Sequence, residues 1–492
     1  MKNKLPSLRP LMLVGTGSDV GKSVITAGFC RIFLQDGYAP APFKAQNMSL
    51  NSYATPEGLE IGRAQAVQAE AAGIPCHTDM NPVLLKPTTD QSAQVIVNGK
   101  PVGNQSAYEY FTSNDRHSLF AAVTRAYDRL AGRFAPIVLE GAGSISEINL
   151  KARDITNLRM ALHAGAATYL VGDIDRGGIF GSLYGTMALL TPEERSCIKG
   201  IIVNKFRGDS RLFEDGRKML EDLCGVPVLG VLPYFRDIFI EEEDSVALKH
   251  KQNSPVEGRV NVAVILLNHL SNFTDFDCLE KDPRVNLYYT NLPAEIAQSD
   301  IIILPGSKNT LADLAVLKSS GTAAAICRAQ REGRTVIGIC GGYQMMGETV
   351  ADPLGVESAL GKVAGLGLLP VRTVLGAQKT TLQQRFRYRN FDEACTGYEI
   401  HMGLTEAPGL EPVAHFPDGR TDGAWLHPKC WGTYLHGILD NEAVRNDLLA
   451  PYTDAAARPF DYRRFREEQY DKLAALMREH IDMKLVYQHL KR

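Results

Sequence analysis

One cysteine of the nine in this sequence stands where a strand pattern gives way to a helix pattern. In TVIGICGGYQMMG an apolar run ends at Cys340, two glycines follow, and a helical segment begins. Such a turn is a nucleophile elbow: it lifts a side chain to a sheet edge and aims the following N–H groups at one point. A helix N-terminus beside the sulfur favours thiolate over thiol. The amides at Gly341 and Gly342, with Gly306 in the loop LPGS at 304–307, can stabilise the oxyanion of a tetrahedral intermediate. The other cysteines, Cys30 for example, sit mostly in apolar helix or strand contexts and read as core fillers. A thiolate nucleophile needs a base. The segment WGTYLHGILDN carries a strand into His436, which is the expected partner; His401, in GYEIHMG, and His427 are rivals.

A second chemical centre lies near the start. LMLVGTGSDVGKSVITAGF runs strand, glycine-rich turn, Lys-Ser, helix, which points backbone N–H groups and a helix N-terminus at one spot and suits a phosphate. Thr16, Gly17, Asp19 and Gly21 form the turn. Lys22 adds a positive charge near the β- and γ-phosphates, and the Ser23 hydroxyl can join a Mg²⁺ shell. The strict P-loop spacing would put glycine where Thr16 stands, so the loop is a deviant form. Three further strand ends belong to the same sheet edge, where open α/β sheets hold ligands. Glu140, in PIVLEGAGS, supplies the hard oxygen that Mg²⁺ prefers. Lys44, in FKAQNMSLNS, can hold a carboxylate substrate or a phosphoryl group, and Asn204, in IIVNKFRGD, can read an adenine edge. A capping acid, a surface lysine and a structural amide are the plainer readings of these three. Asp173 and Asp175, in DIDRGG, share the edge without an assigned role.

The elements that must position these groups alternate throughout. Strands are expected at 11–15, 39–44, 136–140, 168–173, 200–204 and 226–231, with helices at 23–35, 57–72 and 115–130. Apolar strands between helices imply a parallel sheet covered on both faces. A second series follows, with strands at 260–267, 300–304, 335–339 and 432–435 and helices at 310–318, 323–332 and 343–348. The resulting organisation is two α/β domains, 1–235 and 259–450, a polar linker at 236–258, and a helical extension at 451–492 that packs against the body. A length of 492 residues requires more than one core. A net charge of -3 gives no bulk attraction to nucleic acid or anionic membrane. No apolar run is long enough to cross a bilayer, no signal-peptide core is visible, and the cysteines form no CxxC pair, so a reducing cytoplasm is expected.

At these residues the chain resembles a known family. GICGGYQMMG with YLHG resembles the triad-type (class I) glutamine amidotransferases, whose sheet is flavodoxin-like. The first half, GTGSDVGKS…FKAQNM…LEGAGS…NKFRGD, is similar to the dethiobiotin-synthetase-like ATP domain of the cobyrinate amidases. Longer strings (FKAQNMSLNSY, EGAGSISEINL, DIDRGGIF, GYEIHMG) point, over nearly the whole length, to the branch acting on adenosylcobyrinic acid a,c-diamide. The resemblance implies two doubly wound domains, ATP and Mg²⁺ as cofactors, and glutamine and a corrinoid as substrates. It also implies phosphorylation of the b, d, e and g carboxylates and their amidation by glutamine-derived ammonia. Two departures stand out. Many amidotransferases carry His-x-Glu, but position 438 is Ile438, as in the cobyrinate branch generally, so the group orienting His436 is open; Asp440 and Glu442 are candidates. Asn47 stands where the related a,c-diamide synthases place a Mg²⁺-binding aspartate. The rivals are cobyrinic acid a,c-diamide synthase, a partitioning-type ATPase switch, which leaves Cys340 and His436 without purpose, and a binding module with a dead amidotransferase domain.

Overall fold

The computed structural model describes residues 7–89, 92–106, 110, 116–241, 254–453 and 459–491. Most of the expected linker, 242–253, and the start of the expected helix at 115 lie outside them.

The first half winds a six-stranded parallel sheet. Strand β1 (Leu11–Gly15) is buried along its whole length, as a strand covered on both faces must be. It passes through the glycine turn into helix α1 (Lys22–Gln35). Strand β2 (Ala41–Phe43), helix α2 (Arg63–Ala71) and strands β3 (Ile137–Glu140), β4 (Ala167–Asp173), β5 (Ile198–Phe206) and β6 (Val228–Pro233) follow. The spatial order is β6-β5-β4-β1-β3-β2. The order reverses beside β1, which places the glycine turn at the switch point where doubly wound sheets bind ligands. Helix α2 begins six residues later than the sequence pattern suggests, because Glu60–Gly62 is drawn into a hairpin with Ser52–Ala54. A four-stranded excursion (Gln46–Met48, Val83–Thr89, Ser92–Val97, Lys100–Ser106), absent from the sequence expectation, stands beside this sheet.

The second half repeats the plan. Strands β7 (Val260–Ile265), β8 (Val285–Thr290), β9 (Ile301–Leu304) and β10 (Thr335–Ile339) lead to the short helix α3 (Gly341–Met346). The strands β11 (Arg372–Tyr388) and β12 (Ala394–Glu406) then form a long antiparallel ribbon, and β13 (Ala424–His427) and β14 (Cys430–Thr433) complete the main sheet in the order β8-β7-β9-β10-β14-β13. Only β13 runs antiparallel in that sheet. The strand expected at 432–435 therefore starts two residues earlier, and β8, β13 and the ribbon are additions.

Helix α4 (Tyr462–His480) crosses back to cover α1 of the first half. The crossing is so close that a Cβ on Gly28 would sit 2.0 Å from Met477 Sδ. Arg31 pairs with Glu467 and Asp471, and Arg478 with Asp36. Among the described residues no helix is long and apolar enough to cross a membrane.

Candidate functional site

At the end of β10 the chain turns through Cys340 at φ 52°, ψ −111°, a backbone conformation rare for any residue but glycine. Such strain persists only where the surroundings enforce it. Here the Cys340 amide donates to Thr433 O at 2.8 Å, and α3 starts hard against the end of β9. A Cβ on Gly342 would lie 1.9 Å from Leu304 O, and one on Gly341 2.8 Å from Ser307 N, so both positions exclude side chains. Gly306 and Ser307 pass beside the sulfur; a Cβ on Gly306 would meet the His436 ring at 3.3 Å.

His436 follows β14 and is buried. The Tyr398 ring stacks on it at 5.2 Å, and the two backbones exchange hydrogen bonds of 2.8 and 3.0 Å. Its Nδ1 lies 2.6 Å from Asp275 Oδ2, while Oδ1 of the same carboxylate accepts from Gly437 N at 2.9 Å. With Nδ1 engaged, Nε2 is left for the thiol, which lines the same small pocket and itself donates to Ile400 O at 3.6 Å. Burial alone would push the imidazolium to lower pKa. The negative charges of Asp275 and Cys340 overcome it and raise His436 to about 10. Cys340, His436 and Asp275 are thus brought together at one edge of the second sheet, the residue types of a thiol–imidazole–carboxylate triad.

The orienting carboxylate is therefore Asp275, and the two candidates downstream of His436 are corrected. No hydrogen bond joins Asp440 or Glu442 to the ring among the described residues. Asp440 is half-buried, its Oδ1 is shut off from water without a partner, and desolvation raises its carboxyl to about 6. Asp275 lies in the turn Phe273–Phe276, far upstream, and no sequence spacing advertises it. Of the rival histidines, His401 lines the same pocket but is held by Gly403 O at 2.9 Å and stacks on Tyr434, with no hydrogen bond to Cys340 among the described residues, and His427 is exposed.

At the other centre, Gly21 takes φ 99° and opens α1. Ser23 Oγ donates to Glu140 Oε1 at 2.7 Å, Lys44 Nζ reaches the same oxygen at 2.8 Å, and Gln68 Nε2 donates to Oε2 at 2.6 Å. The Lys44 charge and these hydrogen bonds outweigh burial and hold Glu140 below the usual carboxylate range. Lys22 Nζ donates to Gly17 O at 2.7 Å and to Gly143 O at 2.9 Å, so the EGAGS loop lies over the glycine turn. Burial, against the pull of Glu140, brings Lys22 down to about 8. Asp19, Gly21, Lys22, Ser23, Lys44 and Glu140 all line one cavity of roughly 1420 Å³.

Three expected nucleotide residues do not line it. Thr16 bonds back to the sheet through Val171 O, and Gly17 accepts from Lys22. Asn204 lies beneath the turn and donates to Val20 O at 2.8 Å; its amide nitrogen is 2.1 Å from where a Gly21 Cβ would be, which is why position 21 must be glycine. That contact gives one N–H of the amide the task of holding the loop. Asp173 anchors Lys205, whose ammonium also donates to Asp19 O at 2.6 Å, and Asp175 pairs with Arg207.

The two centres meet. Ser52 N donates to Asn272 Oδ1 at 3.0 Å, and Phe273 N donates to Asn51 Oδ1 at 3.1 Å. Leu270 and Phe273 line the phosphate cavity, whereas Ser271 and Asn272 line the small pocket holding Cys340 and His436. Lys86 of the first half and Lys379 of the ribbon both grip buried Glu60 at this boundary.

A phosphate-binding parallel α/β unit joined to an α/β unit bearing a Cys–His–Asp triad defines a class: a nucleotide-binding domain fused to a glutamine amidotransferase domain. Residues 11–246 match the CobQ/CobB/MinD/ParA nucleotide binding domain, and residues 261–444 match the CobB/CobQ-like glutamine amidotransferase domain. Cobyric acid synthases of Bacteroides fragilis and Parabacteroides distasonis are each 62% identical to this chain, over 489 and 491 residues, covering 98% of it and 99% of their own lengths. That of Syntrophobacter fumaroxidans is 49% identical over 504 residues, covering 97% of this chain and 98% of its own. The chain belongs to the cobyric acid synthase family.

Proposed function

We propose that the chain amidates the b, d, e and g carboxylates of adenosylcobyrinic acid a,c-diamide, using ATP and glutamine, in the cytoplasm. The supporting observation is that the Cys340–His436–Asp275 triad backs onto the phosphate cavity across a partition one strand thick. The cavity exceeds the roughly 300–1,000 Å³ that a single small ligand fills, which leaves room for a nucleotide and a macrocycle together.

In the thiol pocket His436 Nε2 takes the Cys340 proton, and the sulfur attacks the γ-carbonyl carbon of glutamine. The oxyanion forms beside the Gly341 amide and the Gly306–Ser307 strand. The C–N bond breaks as His436 returns the proton to the leaving nitrogen, giving ammonia and a glutamyl thioester that water hydrolyses to glutamate. Asp275 holds the ring in the tautomer this requires. A carboxylate is a poor electrophile until phosphorylated. Lys22 and the backbone amides of the glycine turn bind the ATP phosphates, and Lys44 steadies the acid being activated. Ser23 Oγ and the Glu140 carboxylate lie together as hard oxygen donors, the set that fits Mg²⁺. Bound there, the ion would neutralise phosphate charge. Within this reading residues 1–235 are the amidoligase domain, 236–258 the linker, 259–450 the amidotransferase domain and 451–492 an extension clasping the first domain.

Incubation with the a,c-diamide, ATP, Mg²⁺ and glutamine, followed by mass spectrometry, tests the proposal. Four successive amidations are expected. Amidation of cobyrinic acid at a and c alone would reassign the chain to the diamide synthases, and nucleotide hydrolysis with no amidation at all would favour the ATPase switch.

A further inference from the structure

A glutamine held for attack at its γ-carbonyl presents two more groups, an α-carboxylate and an α-ammonium. Beside Cys340, His436 and Gly341, the charged side chains lining the thiol pocket are Lys86, Lys308, Lys379 and Glu357. Lys86 and Lys379 are both committed to buried Glu60, one on each carboxylate oxygen, and Lys86 Nζ also donates to Ser52 Oγ at 2.9 Å. Lys308 is different. It directly follows Ser307, its backbone amide is fixed to His269 O at 2.9 Å, and among the described residues its ammonium has no hydrogen-bond or ion-pair partner. Leaving a half-buried ammonium without a partner is costly unless a ligand supplies the anion.

Glu357 lines the same pocket, close to Lys308 along the chain that carries Thr310. Asp352 accepts from the amides of Val356, Glu357 and Ser358 at 2.8, 2.8 and 2.9 Å, which locks the loop presenting it. Its Oε2 accepts from Thr310 N at 3.1 Å, so the carboxyl is anchored at one oxygen. Lys308 and Glu357 feel one another's charge but do not form an ion pair. An ammonium and a carboxylate thus line the same pocket as the thiol without closing on one another. A zwitterionic head group is complementary to such an arrangement.

We infer that Lys308 binds the α-carboxylate and Glu357 the α-ammonium of the glutamine that Cys340 attacks. This rests on the glutaminase reading above and adds the recognition of the amino-acid head. The pocket then selects an L-amino acid amide by its two charges, while the glycines and thiol handle the reacting end.

The test crosses two variants with three amides, reading ammonia release by the complete protein. Glutamine carries both head groups, 4-aminobutanamide lacks the α-carboxylate, and glutaramic acid lacks the α-ammonium. Lys308→Met is expected to raise KM for glutamine roughly ten- to a hundred-fold, the worth of one charge-assisted hydrogen bond, with a smaller change in kcat. It should leave kcat/KM for 4-aminobutanamide within about three-fold of the unsubstituted protein. Glu357→Gln should raise KM for glutamine by a similar factor and spare glutaramic acid. Lys308→Arg should recover part of the loss. A uniform fall on all three amides in both variants, or an unchanged glutamine KM, overturns the assignment. If Lys308→Met does not fold, the Glu357→Gln pattern decides alone. Failure of the underlying reading is separable, because then Cys340→Ser would retain ammonia release from glutamine.

Discussion

Asp275→Asn is the sharpest probe of the thiol site. The substitution keeps the side chain's size and an acceptor oxygen but removes the charge 2.6 Å from His436 Nδ1. The rise of the His436 pKa from 6.5 to about 10 corresponds to roughly 5 kcal/mol in favour of the imidazolium, shared between Asp275 and the Cys340 sulfur. If Asp275 supplies half, its loss costs about 2.5 kcal/mol, or about 70-fold in the population of the charged pair. An asparagine can also donate to Nδ1 and turn the ring into the wrong tautomer, which in an analogous triad costs about 10⁴ in kcat. Glutamine-dependent ammonia release should therefore fall between these bounds. The pH profile gives an independent check. A raised histidine pKa contributes stability that is fully present below pH 6.5 and is lost as pH rises through about 10. Removing Asp275 should move the alkaline limb of ammonia release from near pH 10 towards neutrality. The assay measures ammonia from glutamine across pH, with amidation supported by added ammonium salt as the control for folding and for the phosphate site. A variant keeping its rate within about three-fold, with an unmoved alkaline limb, would refute the triad.

Further outcomes follow from the same contacts. Cys340→Ser should abolish glutamine-supported amidation and keep ammonia-supported amidation, compared in one mass-spectrometric time course. Lys22→Ala should lose amidation with either nitrogen source. Because burial holds Lys22 at about 8 and phosphate oxygens would draw it back up, nucleotide binding near pH 8 should take up part of a proton, read by titration calorimetry in buffers of different ionisation enthalpy. Glu140→Gln breaks the buried pair with Lys44, strands the lysine, and should lower stability by about 3 kcal/mol as well as weaken Mg²⁺-dependent nucleotide binding. A thermal melt with and without Mg-ATP checks both effects.

The parts legible in the sequence are those whose signal is local. The glycine turn before α1 and the elbow at Cys340 each announce themselves within a dozen residues, because strand, turn and helix must be contiguous to expose a loop. Asp275 was not legible, since it reaches His436 only through the packing of the Phe273–Phe276 turn against the end of β14. A search immediately downstream of the histidine instead selects Asp440, which is half-buried near the site and makes no hydrogen bond to the ring among the described residues. Asn204 illustrates the converse. Its strand end was correctly expected, yet its amide serves the turn that the glycines create. The β11–β12 ribbon escaped notice because the middle of β11 is polar and largely exposed, which breaks the alternation that its two ends show.

The return of α4 to the first domain has a consequence for how this polypeptide can be divided. The apolar face of α1, with Phe29 and Phe33, is sealed by Tyr470, Leu473 and Met477, residues that lie beyond the entire amidotransferase half. A fragment ended at the polar stretch between the domains would carry that face bare to water and invite self-association. The two chemistries are thus sewn into one covalent unit, and a split into separately produced subunits would have to transplant the clasp along with the phosphate-binding half.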